Sequence, residues 1–278
     1  MAAEKAAKAV RLVVSDIDGT LVDKDKKLTD ATIAAVKRLR DRGIAFTVIS
    51  ARPMSGIQPL LEPLKLDEDV GAFNGGIVFR RDGTIVSHHT IDADVARGVI
   101  EMVADEQVDT WVFADDQWFA TDGEGPHTKS ERVSSNQEPV IRADFDDLLD
   151  RADKITFVSD DEDRLRALYE RAHGRYGEQA TIAQSQTYYL DVTALAANKG
   201  DGVAALARSN GVDLSDTAVI GDQRNDLPML RRAGLPIAMG NAPDDVKAQA
   251  SKVTRSNDED GVAHAIDTII LPSTENAK

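Results

Sequence analysis

The chain contains no cysteine, which excludes disulfides, thiolate metal sites and cysteine nucleophiles. Positive charge is also scarce. Against 48 Asp and Glu stand 33 Lys and Arg, a net charge of −15 over 278 residues. Such a chain argues against nonspecific binding to nucleic acid or to an anionic membrane. No apolar run approaches bilayer-spanning length. The opening stretch, Met1 to Val10, is rich in Ala and Lys and lacks the apolar core of a secretory signal, so a cytoplasmic location is expected. No repeat or low-complexity stretch occurs, and the two tails are expected to be poorly ordered. The acidic excess has one awkward consequence. A phosphate-bearing ligand would be repelled unless a divalent ion and a few placed cations reverse the sign locally.

What is present is most concentrated in Val13-Val14-Ser15-Asp16-Ile17-Asp18-Gly19-Thr20-Leu21. The apolar run Val10 to Val14 reads as a buried strand that ends in two aspartates one residue apart. In open α/β sheets, ligands bind outside the carboxyl ends of the strands. Two carboxylates crowded there repel unless a cation or a proton lies between them. Taken alone, Asp-Gly after a strand is also an ordinary turn signal. The rest of the chain decides.

Thr29 is placed to cap a helix carrying Ile33, Val36 and Leu39, with Gly43 as its stop. Ile44 to Ile49 reads as a second buried strand, ending at Ser50-Ala51-Arg52-Pro53. Val70 to Phe73 reads as a third, ending at Asn74-Gly75-Gly76. Three such strands are expected to share one parallel sheet. From about Ile77 the rhythm changes to hairpins, around Arg81-Asp82-Gly83 and around Ala114-Asp115-Asp116, with helices near Asp94–Glu106 and Asp161–Gly174. Strands are expected at Ile155–Val158 and Thr187–Val192. The strand–helix alternation resumes at Asn198-Lys199-Gly200 and continues through Ala218-Val219-Ile220 and Gly221-Asp222-Gln223-Arg224-Asn225-Asp226. The fold class expected is α/β: a doubly wound, mostly parallel, Rossmann-like core from residues 1–83 and 192–278, interrupted by an α+β cap at 84–191.

Asp16, Asp18, Ser50, Asn74, Asp222 and Asp226 fall at strand ends, with Lys199 at a helix start. As chemistry this set suits phosphoryl transfer. Carboxylate oxygens suit Mg²⁺. A hydroxyl, backbone N–H groups and an ammonium cradle phosphate oxygens, and one carboxylate attacks phosphorus while another handles protons. No glycine-rich loop ends in Gly-Lys-Ser/Thr, so this is not the usual nucleotide-binding P-loop.

Asp16-Ile17-Asp18-Gly19-Thr20-Leu21, Ser50-Ala51-Arg52, Asn74-Gly75-Gly76, Asn198-Lys199-Gly200 and Gly221-Asp222-Gln223-Arg224-Asn225-Asp226 follow one another in the order of the haloacid dehalogenase superfamily. The chain resembles its Cof-like phosphatases, which carry a large α/β cap between the second and third motifs. Ala238-Met239-Gly240-Asn241-Ala242 and the stretch from Ser256 to Ala263 are similar to that group too. The resemblance implies that Asp16 is the nucleophile, forming an aspartyl-phosphate, and that Asp18 is the acid and then the base. It implies Mg²⁺ on the Asp16 carboxylate, the Asp18 carbonyl and Asp222, with Asp226 and Asn225 completing or orienting the shell. Ser50 and Ala51 would bind the phosphoryl group, Lys199 would neutralise it and Asp16, and Arg52, Asn74 and Gly75 would lie on the substrate side. Two positions depart from the family pattern. Ala51 stands where Gly is common, and Gln223 where a small residue is common.

The function expected is Mg²⁺-dependent hydrolysis of small phosphorylated metabolites, sugar phosphates first. Two alternatives are a phosphomutase on the same scaffold and a non-catalytic phosphometabolite-binding protein. The expected partner is a small phosphorylated molecule, with no nucleic acid and no membrane, and the chain is expected to be a monomer or weak homodimer. Several side chains carry two readings each. Arg52 binds substrate or meets a surface carboxylate, Arg224 braces its loop or meets substrate, His88-His89 ends a surface strand or offers metal ligands, and Trp111 and Trp118 fill the cap core or turn one ring to substrate.

Overall fold

The computed structural model describes residues 10–275. The expectation of poorly ordered tails, and most of the Met1 to Val10 stretch, lie outside the described residues. The chain divides into two compact units. One holds the described residues up to Ile49, Leu60–Val70 and those from Lys199 onward; the other holds Ser50–Pro59 and Gly71–Asn198.

The first unit is built on a five-stranded sheet in the spatial order Lys252–Val253, Leu235–Ala238, Thr217–Gly221, Leu12–Ser15, Ala45–Val48. Every pairing is parallel, with Val13 set between Ala218 and Phe46. Leu12, Val13 and Val14 are fully buried, as near-continuous apolar strands of parallel sheets are. Each such side chain contributes roughly 1.5–3 kcal/mol of burial. The helix Asp30–Asp41 begins where the sequence places it: the Thr29 hydroxyl accepts the Thr32 N–H at 3.2 Å. It buries Val36 and Leu39, leaves Ile33 half-buried, and stops before Gly43, whose φ of +72° favours glycine.

The second unit holds a six-stranded sheet ordered Ala180–Gln186, Tyr189–Ala194, Ala152–Val158, Asp109–Ala114, Gln117–Ala120, Val140–Ile141. Its pairings are antiparallel except the last, which is parallel. Val112, Ala114, Ile155, Phe157, Leu190 and Val192 form one core with Val95 and Val99 of helix Ala93–Glu101 and Leu165 and Leu168 of helix Glu162–Tyr176. Side chains alternate along a strand, so the other face is given to Trp111, Phe113, Lys154, Thr156 and Asp191. Trp111 and Trp118 are buried there, edge to face at 5.1 Å.

One strand departs from the expectation. Val70–Ala72 joins a three-stranded sheet with Ile77–Phe79 and Ile85–His88 instead of the parallel sheet. It is three residues long. Phe73, Asn74 and Gly75 then follow with φ of +47°, +59° and +93°, a left-handed run that turns the chain back at once. Helix Ala93–Glu101 also ends about a turn before the expected limit. Helix Thr128–Ser135 and strand Ala180–Gln186 had no expectation in the sequence.

Candidate active site

In the first unit, the strand Leu12–Ser15 delivers Asp16 at its carboxyl end, 4% exposed, with its N–H on the Ile220 carbonyl at 2.9 Å. The neighbouring strand Thr217–Gly221 delivers Asp222 at the same level. Lys199, at the head of helix Lys199–Ser209, is 1% exposed. Its ammonium donates to Asp16 Oδ1 and to Asp226 Oδ1, each at 2.5 Å. The other oxygen of Asp226 accepts the backbone N–H groups of Asp222 (2.7 Å) and Gln223 (2.8 Å), which closes the fourth-motif loop on itself. Asp226 is thus the anchor that holds both the loop and the lysine.

The turn after Asp16 is shaped for close approach. Gly19 has φ +78°, and a Cβ there would fall 2.4 Å from Asp222 Oδ2. Only glycine fits both conditions. The Thr20 hydroxyl donates to Asp222 Oδ1 at 2.8 Å, and Asn241 Nδ2 donates to the Gly19 carbonyl at 2.8 Å. Asp18 is less buried, and its carboxylate takes the Lys26 ammonium at 2.5 Å.

The charges do not balance. One oxygen from each of Asp16, Asp222 and Asp226 lies within 4.8 Å of the others, and among the described residues the Lys199 ammonium pairs with two of them, Asp16 and Asp226. Burial pushes Asp16 up to about 7, against the pull of Lys199 and with help from Asp226. It pushes Asp222 up to about 8, with Asp16 and Asp226 adding repulsion and the Thr20 hydroxyl opposing. Burial works against the charge on Lys199, but Asp16 and Asp226 more than offset it and raise its pKa. A site of hard oxygen donors, short of two positive charges, fits a divalent cation such as Mg²⁺. Asp226 already uses both oxygens on protein donors; Asn225 Oδ1 is buried with no partner.

The remaining sequence-marked residues cluster in the second unit. Ser50 N–H donates to the Gly71 carbonyl (2.9 Å), and Asn74 N–H to the Ser50 carbonyl (2.7 Å). Phe73 N–H donates to the Arg52 carbonyl (3.0 Å), and the Ser50 hydroxyl oxygen accepts the Arg52 N–H at 3.2 Å. The loops Ser50-Ala51-Arg52 and Asn74-Gly75 are thereby laced into one another. Arg52 is buried and donates to the Gly56 carbonyl at 3.1 Å, while Asn74 Oδ1 is buried without a partner. The structure thus gathers Asp16, Lys199, Asp222, Asp226 and Asn225 in one unit and Ser50, Ala51, Arg52, Asn74 and Gly75 in the other.

Thr20, Lys26 and Asn241 had not been marked as site residues. Thr20 and Asn241 stood inside quoted motifs, so a signal existed for them; Lys26 carried none. Among the double readings, Arg224 is exposed and pairs with Asp245 at 2.8 Å. His88 ends its strand as expected but pairs with the buried Asp153 at 2.5 Å.

The comparisons agree with one another. The family described as haloacid dehalogenase-like hydrolase matches residues 13–266. An HMP-PP phosphatase of Escherichia fergusonii is 34% identical over 86% of this chain and 87% of its own. A 5-amino-6-(5-phospho-D-ribitylamino)uracil phosphatase of Bacillus subtilis is 27% identical over 94% and 98%. A haloacid dehalogenase-like hydrolase from Bacteroides thetaiotaomicron, solved as a crystal structure, matches with a TM-score of 0.82 at 26% identity, over 94% of this chain and 99% of its own.

Proposed function

This chain belongs to the haloacid dehalogenase-like hydrolases and is a phosphatase of the Cof-like kind, and on that footing we propose that it hydrolyses small phosphorylated metabolites through an aspartyl-phosphate on Asp16. The observation that carries the reading is the salt bridge of Lys199 to Asp16: a buried carboxylate held by one oxygen, at a strand end.

In the proposed reaction Asp16 attacks phosphorus, an Asp16 O–P bond forms and the ester P–O bond breaks. The leaving alcohol takes a proton from Asp18. Asp18 then accepts a proton from water as that water attacks phosphorus, which releases inorganic phosphate and restores the Asp16 carboxylate. Lys199 fixes Asp16 and offsets its charge. Asp226 positions Lys199 and the loop bearing Asp222. The Ser50 hydroxyl and the Ala51 N–H bind the phosphoryl oxygens, with Arg52, Asn74, Gly75 and Asn225 as further substrate contacts.

Mg²⁺ is the proposed cofactor, held by the Asp16 carboxylate, the Asp18 backbone carbonyl and Asp222, with Asp226 in or behind that shell. When bound it would screen charge and polarise the phosphoryl oxygens. Sugar phosphates are the first substrates to test. The two named relatives act, by their names, on HMP-PP and on 5-amino-6-(5-phospho-D-ribitylamino)uracil. Residues 84–191 are proposed as a substrate-specifying cap. Among the described residues no helix is long and apolar enough to cross a membrane. A cytoplasmic monomer or weak homodimer is the working picture.

The test is phosphate release from a metabolite panel with Mg²⁺ and with chelator, for the native chain and for Asp16→Asn. An amide is no nucleophile here, so release is expected to fall at least about 10³-fold. Normal turnover by Asp16→Asn would sink the reading.

A further inference from the structure

Among the described residues, Lys154 is a buried cation with no acid paired to it. Its strand, Ala152–Val158, runs between Asp109–Ala114 and Tyr189–Ala194, and the side chain is 5% exposed. The ammonium lies 4.3 Å from the centre of the Phe113 ring and 5.8 Å from that of Phe73. Of its three donors, one reaches an acceptor among the described residues: the carbonyl of Ala51, at 3.3 Å. The buried acids of the same strand and its neighbour form no ion pair with it, although one oxygen of each, Asp153 Oδ2 and Asp191 Oδ2, has no hydrogen-bond partner among the described residues. Asp153 holds His88 at 2.5 Å, and the Asp191 carboxylate accepts the Thr156 hydroxyl at 2.7 Å. Lys199, equally deep, has two carboxylates at 2.5 Å.

An ammonium taken out of water without an anion is costly, and aromatic faces offset only part of that. The arrangement makes sense when an anion arrives. The one protein acceptor Lys154 touches is the carbonyl of Ala51, in the loop proposed to bind phosphoryl oxygens. The aspartate cluster cannot supply the missing charge: three carboxylates, one ammonium and a divalent cation sum to zero, leaving nothing to offset a phosphate ester.

We propose that Lys154 binds an anionic oxygen of the phosphorylated substrate. The inference rests on the phosphatase reading and adds to it a second buried cation beside Arg52, whose guanidinium already donates to the Gly56 carbonyl. The anionic oxygen belongs either to the phosphoryl group itself or to a second acid group on the leaving alcohol, and the experiment separates the two.

Binding of inorganic phosphate and of 2-phosphoglycolate, which carries a carboxylate, is measured by calorimetry in the Asp16→Asn background, where the ester survives. Lys154, Lys154→Met and Lys154→Arg are compared there. Methionine keeps the stem and offers sulfur to the rings; arginine keeps the charge. A melting scan checks folding, with Lys154→Gln replacing the methionine variant if that one does not fold. If the phosphoryl oxygen is the ligand, the neutral variant weakens both probes by about tenfold or more. If the second acid group is the ligand, phosphoglycolate alone weakens by that factor. In both cases arginine restores most of the affinity. In chains with Asp16 intact, KM for the affected ester rises more than kcat falls. Unchanged affinity for both probes, or an equal loss with arginine, overturns the proposal. Loss of turnover on every ester with the binding pattern intact would sink the phosphatase reading instead, and leave Lys154 as an anion-binding residue.

Discussion

The two units bury charge in opposite ways. The first packs Asp16, Asp222 and Asp226 around one ammonium and is left with surplus negative charge. The second sinks Lys154 against Phe113 and Phe73 and gives it a carbonyl oxygen but no acid. A fold built only for stability would have paired these charges or replaced them by apolar groups, since buried ions seldom recover their desolvation cost. Surplus negative charge in one place calls for a cation and surplus positive charge in the other for an anion. Each imbalance is the kind expected if the proposed metal and phosphate ester are the ligands.

The largest effect expected from breaking this contrast is at Lys199. Lys199→Met leaves three buried carboxylates with no ammonium. Unfolding in urea with chelator at pH 8 is expected to show a loss on the order of 3–5 kcal/mol, the scale for removing one partner of a buried pair. At pH 5 the loss is expected to shrink, because protonation relieves the repulsion. Lys154→Met removes an ammonium that has no acid and is expected to lose far less under the same conditions. Equal losses at the two lysines would erase the contrast.

A smaller and more diagnostic effect is the pH dependence of the metal-free fold. Burial holds Asp16 at about 7 and Asp222 at about 8, whereas carboxylates of an unfolded chain titrate near ~4. Between about pH 4 and 8 the folded chain therefore binds more protons than the unfolded one, so its stability falls as pH rises. The proposed Mg²⁺ would compete with those protons, and its stabilising effect is expected to grow over the same window. Melting temperatures in chelator and in Mg²⁺ at pH 5 and pH 8 test both signs. A Mg²⁺ effect that is larger at pH 5 would contradict the assignment of the aspartates as its ligands.

The first unit was far more legible in the sequence than the second, for physical reasons. Asp16 and Asp222 each follow a short apolar run, Leu12-Val13-Val14 and Ala218-Val219-Ile220, with one small residue between, and such runs become the central strands of a parallel sheet whose carboxyl ends line up. Asp226 was visible as a residue of the loop, but its grip on the backbone of Asp222 and Gln223 was not. The Thr20 contact with Asp222 spans 202 residues of sequence, which no local pattern encodes. In the second unit, Lys154 sits one residue before Ile155, where the strand was expected to begin; with the strand starting at Ala152, it becomes a buried position. The run Val70 to Phe73 reads as a parallel strand because it is apolar, and apolarity does not specify which sheet a strand joins.

The smallest effect concerns a charge that is matched and in water. Arg224 lies in the fourth-motif loop, and the sequence left it between bracing that loop and meeting substrate. Its guanidinium pairs with Asp245, with the two side chains 69% and 50% exposed. The loop is already closed by Asp226, whose carboxylate accepts the Asp222 and Gln223 N–H groups from a fully buried position. An exposed ion pair adds little to a loop fixed that way, because water solvates both partners well. Arg224→Ala is therefore expected to leave the melting temperature within about 2 °C of the native value and KM for a phosphate ester within about twofold. A KM rise comparable to that of Lys154→Met would move Arg224 to the substrate, and the anion-binding cations would then no longer be confined to the second unit.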